Sequence, residues 1–228
     1  MKNGIYLVAT PIGNISDITL RALDVLKNAN IIACEDTRVT KKLFSLLCIS
    51  TAGKSFVTMH DHNEEEISQN LIDSAKKGYV IAYVSDAGSP LISDPGYKLS
   101  KKCRKQNVYI TTIPGACAAI CALQLSGLPS NCFTFVGFVP NKDKARKDLF
   151  NKYKDYDSTL IFYETAPRNH QRYLWRQRNF GCQRNYQTVR RMQIRYGSRL
   201  AYLLYRQPTQ RRNSFNDCTS NRNKIDRL

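Results

Sequence analysis

The run Tyr79-Val80-Ile81-Ala82-Tyr83-Val84-Ser85-Asp86-Ala87-Gly88-Ser89-Pro90-Leu91-Ile92-Ser93-Asp94-Pro95-Gly96 joins a continuous apolar segment to a loop crowded with turn-forming residues. Tyr79–Val84 is a buried strand by its length and its lack of polar alternation. The loop after it, Ser85 to Gly96, holds two Gly, two Pro, two Asp and three Ser, and a helix is expected from about Tyr97. Such a composition fixes an irregular backbone with outward N–H and C=O groups, as binding a polar small molecule at a strand's carboxyl end requires. The plainer reading is a tight connection, but a βα loop rarely needs so many residues.

Outward from that run, residues 1–168 alternate short β-branched segments with longer amphipathic ones, the pattern of strands and crossover helices in a largely parallel sheet. The candidate strands are Gly4–Ala9, Asn30–Cys34, Phe56–Met59, Tyr79–Val84, Val108–Ile113, Cys132–Val136 and Thr159–Tyr163. Ser16 is placed to cap a helix with Leu20, Leu23 and Leu26 on one face. Asn63 is placed to cap another that carries Glu64–Glu66 at its positive end and stops at Gly78. The fold class is α/β with two lobes: residues 1–113 form an N-terminal lobe, 114–168 begin a second, and 169–228 form an Arg-rich tail.

Two more loops share the character of Ser85–Gly96. Ile113-Pro114-Gly115-Ala116-Cys117-Ala118-Ala119 opens a helix of small residues whose N-terminus offers free N–H groups, to a ligand or to close helix–sheet packing. Ala9-Thr10-Pro11-Ile12-Gly13-Asn14 follows the first strand. All three would emerge on one edge of a parallel sheet, and that convergence marks a binding site. At the end of the second strand, Cys34-Glu35-Asp36-Thr37-Arg38 sets two carboxylates beside a guanidinium, either to orient or deprotonate a substrate or to cap the next helix. His60-Asp61-His62 lacks a clear third ligand, so no metal is expected. Gly53-Lys54-Ser55 lacks the earlier glycine of a phosphate loop, having Cys48 there, and neither GxSxG nor GxGxxG occurs.

The eight cysteines form no CxxC pair and fall mostly in apolar runs, which suits reduced thiols in a cytoplasmic protein. No apolar run is long enough for a membrane span. The formal charge of +17 is uneven: residues 1–168 hold 21 Lys+Arg against 16 Asp+Glu, and residues 169–228 hold 14 against 2. Lysine dominates the bases of the first part, with 16 Lys and 5 Arg, and arginine those of the tail, with 1 Lys and 13 Arg. Shifting the frame of an A-rich gene turns Lys codons into Arg and Gln codons, so a frameshift just after Arg168 is one reading. An authentic RNA-binding tail is the other. The run Leu200 to Tyr205 reads as a strand, and the chain from Gln207 onward as disordered or wrongly packed.

VATPIGN at 8–14, ACEDTRVT at 33–40, SDAGSPLISDPG at 85–96, PGACAAICAL at 114–123, FVGFVP at 135–140 and FYETAPR at 162–168 together resemble the ribosomal RNA small-subunit methyltransferase I branch of the tetrapyrrole methylases. The resemblance implies a two-lobed fold with a mostly parallel sheet in the first lobe and a mixed sheet in an incomplete second one. It implies S-adenosyl-L-methionine held between the lobes, a homodimer, and methylation of a cytidine ribose 2′-hydroxyl in small-subunit ribosomal RNA. Gly88, Ser89, Pro90, Leu91 and Ile92 match the family's main cofactor loop, Cys117 and Ala118 its second, and Pro11 and Phe138 would line the same cleft. Glu35, Asp36 and Asp86 are candidates for the base, with Arg38 beside them. Beyond Arg168 the chain departs from the family pattern, so an unpaired sheet edge, low stability and little methyl transfer are expected. The rival readings are a tetrapyrrole or other small-molecule methylase of the same fold, a non-catalytic RNA-binding protein, and a decayed gene product.

Overall fold

A computed structural model describes residues 1–165 and 199–204. Five strands, β1 (Gly4–Val8), β2 (Ile31–Cys34), β3 (Ser55–Thr58), β4 (Val80–Val84) and β5 (Ile110–Ile113), form one sheet in the order β3-β2-β4-β1-β5. Every pairing in it is parallel. The helices α1 (Leu20–Asn28), α2 (Thr37–Leu46), α3 (Glu64–Lys76) and α4 (Tyr97–Lys105) are its crossovers. β4 lies near the middle and all five of its residues are buried, as its apolar run requires.

The strand period of two sorts β4 between two cores. Val80, Ala82 and Val84 pack in one cluster with Val25 and Leu26 of α1 and Phe44 of α2. Ile81 and Tyr83 pack in the other with Leu71 and Ile72 of α3 and Leu99 of α4. Helices thus cover both faces, and the five carboxyl ends are left free at one edge to carry loops.

Helix α5 (Ala118–Ser126) leads to a second sheet of β6 (Phe133–Phe138), β7 (Thr159–Thr165) and β8 (Arg199–Leu204), with α6 (Asp143–Tyr153) between β6 and β7. β6 and β7 pair in parallel and β8 runs antiparallel to β7, so this sheet is mixed. Ala119, Ala122 and Leu123 of α5 pack on Ile161 and Tyr163 of β7. The pairing of β6 slips between Phe135 and Gly137, a bulge that uses the left-handed backbone of Gly137, at φ +88. A Cβ on Gly137 would stand 3.6 Å from Ser93 Oγ, so β6 passes close to the Ser85–Gly96 loop.

All seven expected strands are present, with ends shifted by one or two residues. The start of α1 is a correction. Ser16 lies in a single 3-10 turn, Ile15–Asp17, capped by Asn14, whose side chain accepts from Ser16 N. Thr19 is the real cap of α1: its hydroxyl accepts from Ala22 N at 3.1 Å, and Leu20 is 84% exposed rather than on the core face. Asn63 does precede α3, but its side chain accepts from His60 N and donates to Thr58 O instead of capping. The strand read from Leu200 is β8. It gives β7 a partner on its second side, so that among the described strands β6 and β8 stand at the edges. The expected disorder from Gln207 onward lies outside the described residues.

Candidate functional site

Parallel strands bring the loops after β1, β4 and β5 to one edge, and hydrogen bonds tie them together. Thr10 N donates to Gly88 O at 2.9 Å and Gly88 N to Thr10 O at 3.1 Å, a two-way bridge between the first loop and the second. Buried Thr10 also donates its hydroxyl to Ser85 O, and Ser85 donates its own to Gly88 O. Ser89 Oγ donates to Ala116 O at 3.2 Å, reaching the third loop. Two glycines permit this approach. Gly88 has φ +86 and a Cβ there would meet Ile12 Cγ2 at 3.2 Å, while a Cβ on Gly115 would stand 2.9 Å from Ala9 Cβ.

The three loops enclose a cleft lined by Ile12, Ala87, Gly88, Ser89, Ile92, Cys117, Ala118 and Tyr163, with about 330 Å³ of empty space including its open mouth. Among the described residues no Asp, Glu, Lys or Arg lines it. Ser89 and Tyr163 are its hydroxyl-bearing residues, and Cys117 and Ala118 bring the start of α5 to it. That is the surface a ligand recognised by hydrogen bonds and shape would need.

Of the residues singled out in the sequence, Gly88, Ser89, Ile92, Cys117 and Ala118 line this cleft. Pro11 adjoins the lining residue Ile12. Pro90 and Leu91 share the loop without lining the cleft. Leu91 turns inward and packs on the core cluster that holds Tyr83 and Leu99. Phe138 stacks edge-on against Tyr163, ring centroids 5.5 Å apart, and so borders the cleft through that ring. Ile12, Ala87 and Tyr163 were not singled out. Tyr163 lay inside the quoted FYETAPR stretch, and its place as an inward residue at the carboxyl end of β7 was the available signal. Its hydroxyl accepts from Ala119 N at 3.2 Å, fastening β7 to the start of α5.

Cys34 of β2 pairs with Val84 of β4, so Glu35 and Asp36 leave their strand level with the end of the strand that leads to Asp86, and Asp86 adjoins the lining residue Ala87. Burial pushes the Cys34 thiol up, and the charges of Asp86, Asp36 and Glu35 add to that push. Asp36 caps α2 by accepting from Arg38 N at 2.8 Å, and its second oxygen meets Arg38 Nη2 at 2.7 Å. Those hydrogen bonds from Arg38 hold the Asp36 carboxyl down at about 2. Burial keeps the Tyr83 hydroxyl protonated far above its ordinary range, with the charge of Glu35 next in effect. His60 and His62 lie with ring centroids 6.0 Å apart. Among the described residues no group of three or more His, Cys, Asp or Glu is placed to hold a metal ion, and no helix is long and apolar enough to cross a membrane.

Known proteins share both sequence and fold with this chain. It is 53% identical over 164 residues to the ribosomal RNA small subunit methyltransferase I of Vibrio cholerae, covering 72% of this chain and 56% of that protein. The Haemophilus influenzae protein of the same name is 49% identical over 164 residues, covering 72% and 57%. The chain therefore spans somewhat more than half the length of the curated relatives it matches. The crystal structure of a diphthine synthase superposes with a TM-score of 0.55 at 18% identity, covering 70% of this chain and 63% of that one, which is a likeness of fold. The family model described as tetrapyrrole (corrin/porphyrin) methylases matches residues 4–185, seventeen positions past Arg168. With that match spanning most of its length, the chain belongs to the tetrapyrrole methylase family.

Proposed function

We propose that this chain binds S-adenosyl-L-methionine in the cleft and directs methyl transfer to a cytidine ribose 2′-hydroxyl of small-subunit ribosomal RNA. The carrying observation is the meeting of three backbone-rich loops around a cleft that has no Asp, Glu, Lys or Arg among the described residues of its lining. The relatives' name supports the RNA substrate. The residues present fit the donor. Gly88 leaves a cradle that a Cβ would narrow, and Ser89, Tyr163 and backbone groups supply polar contacts while Ile12, Ile92 and Ala118 supply apolar ones. When bound, the donor supplies an already activated methyl group on a sulfonium.

The chain's own contribution is then positioning and proton handling. The Gly88–Ile92 segment and the Cys117–Ala118 turn would hold the donor and keep water from it, with Pro11 and Phe138 at the borders. Holding two reactants in line supplies much of the rate. Arg38 holds Asp36 down at about 2, which makes it a poor proton acceptor near neutral pH. Glu35 and Asp86 remain as candidates for the base, with Asp36 and Arg38 organising the start of α2. We assign residues 1–113 to a first lobe, 114–168 to the beginning of a second and 169–228 to an aberrant tail, and place the protein in the cytoplasm as a homodimer. The Lys-to-Arg break after Arg168 supports a frameshift there, which would leave methyl transfer slow.

Calorimetric titration with S-adenosyl-L-methionine, followed by transfer of labelled methyl to small-subunit RNA and to a porphyrinoid, tests this reading. Donor binding with label in RNA alone is expected, and label in the porphyrinoid alone would favour the small-molecule alternative. A chain that binds RNA but no donor would overturn the enzymatic reading. Repeating the assay with the tail restored to the neighbouring frame is expected to raise the rate.

A further inference from the structure

The Ser85–Gly96 loop has a front, which faces the cleft, and a rear, where two buried side chains from other elements hold it. Glu64, the first residue of α3, is 5% exposed. Its Oε1 accepts from Gly96 N at 3.0 Å and from Lys98 N at 2.8 Å. Gly96 is the cap position of α4 and has no side chain to serve it, so the cap is delivered from the neighbouring helix. The carboxylate thereby stands at the positive ends of α3 and α4 together, which offsets the cost of burying it. Tyr83, fully buried on β4, donates its hydroxyl to Pro95 O at 2.8 Å.

Between these anchors and the cleft lie Leu91 at φ 70 and Ser93 at φ 64, left-handed positions that only a well-fixed surrounding sustains. A Cβ on Gly96 would strike Leu91 Cδ1 at 2.6 Å and Tyr83 Cε1 at 3.0 Å, so the rear of the loop is closed tightly on Tyr83. Leu91 is next to the lining residue Ile92, and Ile92 N donates back to Ser89 O at 3.4 Å. The shape of the front is thus continuous with the grip at the rear.

Resting on the donor-binding reading above, we propose that Glu64, assisted by Tyr83, is a positioning residue that sets donor affinity by holding the Ser85–Gly96 loop in its binding shape from outside the cleft. Neither side chain lines the cleft. A residue that merely stabilised the α3–α4 pair would leave the loop's front and its ligand affinity unchanged once measured well below the melting temperature.

The test compares the full-length protein with E64A, E64Q and Y83F by hydrogen–deuterium exchange without ligand and by calorimetric titration with S-adenosylhomocysteine, the demethylated donor. In E64A, faster exchange is expected at Gly96 and Lys98 and also at the front, above all at Gly88, whose N–H is bonded to Thr10 O. Affinity is expected to fall about tenfold, the scale of a lost helix cap that binding must restore. E64Q keeps a carbonyl oxygen able to accept both bonds, so it is expected to stay near wild type, with Y83F between the two. Faster exchange confined to residues 96–98, or E64A binding as tightly as wild type, would overturn the proposal. Failure of the wild-type protein to bind would instead overturn the donor reading, and the exchange comparison would still decide whether Glu64 holds the loop.

Discussion

Gly88 carries more of the site than any other single residue. Its backbone bonds Thr10 in both directions, its φ of +86 disfavours a side chain, and a Cβ would press Ile12 at 3.2 Å. Gly88→Ala is expected to cost about 1–2 kcal/mol from the left-handed backbone and the crowding, read as a lower melting temperature, and to weaken donor binding measured by calorimetry. Asp36 offers a pH test. Its folded carboxyl sits at about 2, below the ordinary 3.8. The stability it lends is therefore present above about pH 4 and lost as pH falls toward 2. Asp36→Asn keeps a capping oxygen while removing the charge, so its melting temperature is expected to trail wild type most at neutral pH and to converge with it near pH 2. The pair is exposed, so the gap is small and shrinks in salt. At this scale much of the cleft was legible, because Gly, Pro and Ser in a loop after a buried strand announce their role. Leu91 was not: with φ 70 its side chain turns to the core, and a string of letters does not show which way a left-handed residue faces.

Elements were legible wherever one face alone is buried or both are. β4 is the clearest case, five apolar residues in a row that supply two cores at once. The beginning of α1 was misread because Asn14, Ser16 and Thr19 are all capable caps and lie within six residues of each other. The short 3-10 turn uses Asn14, which leaves Thr19 for the helix. Thr19→Ala is expected to cost about 1 kcal/mol, whereas Ser16→Ala is expected to change stability little, both measured by urea unfolding. Glu64 shows a different limit. Its place in the first turn of α3 was expected, but its bonds run to another helix, and contacts between elements distant in sequence leave no local pattern.

The whole molecule presents two kinds of attraction. Among the described residues the cleft lining has no Asp, Glu, Lys or Arg, while the chain as a whole carries a formal charge of +17. Donor affinity is therefore expected to change little between low and moderate salt. Affinity for RNA of unrelated sequence is expected to fall linearly on a log–log plot against salt, as counterion release demands, and filter binding measures it. A steep slope for both ligands would mean that charge governs the cleft as well.

The bulge in β6 gives the molecule an internal ruler. Val136 is the one residue by which that strand outruns its partner, and a Cβ on Gly137 next to it would touch Ser93. A deletion there would rotate Phe138 away from Tyr163, and an insertion would drive a side chain into the loop, since neighbouring strand positions face opposite ways. Over the history of such a protein, changes of length would be tolerated in the turns at 127–132 or 154–158 and selected against within 133–138, so that the spacing of this short strand outlasts the identity of most of its residues.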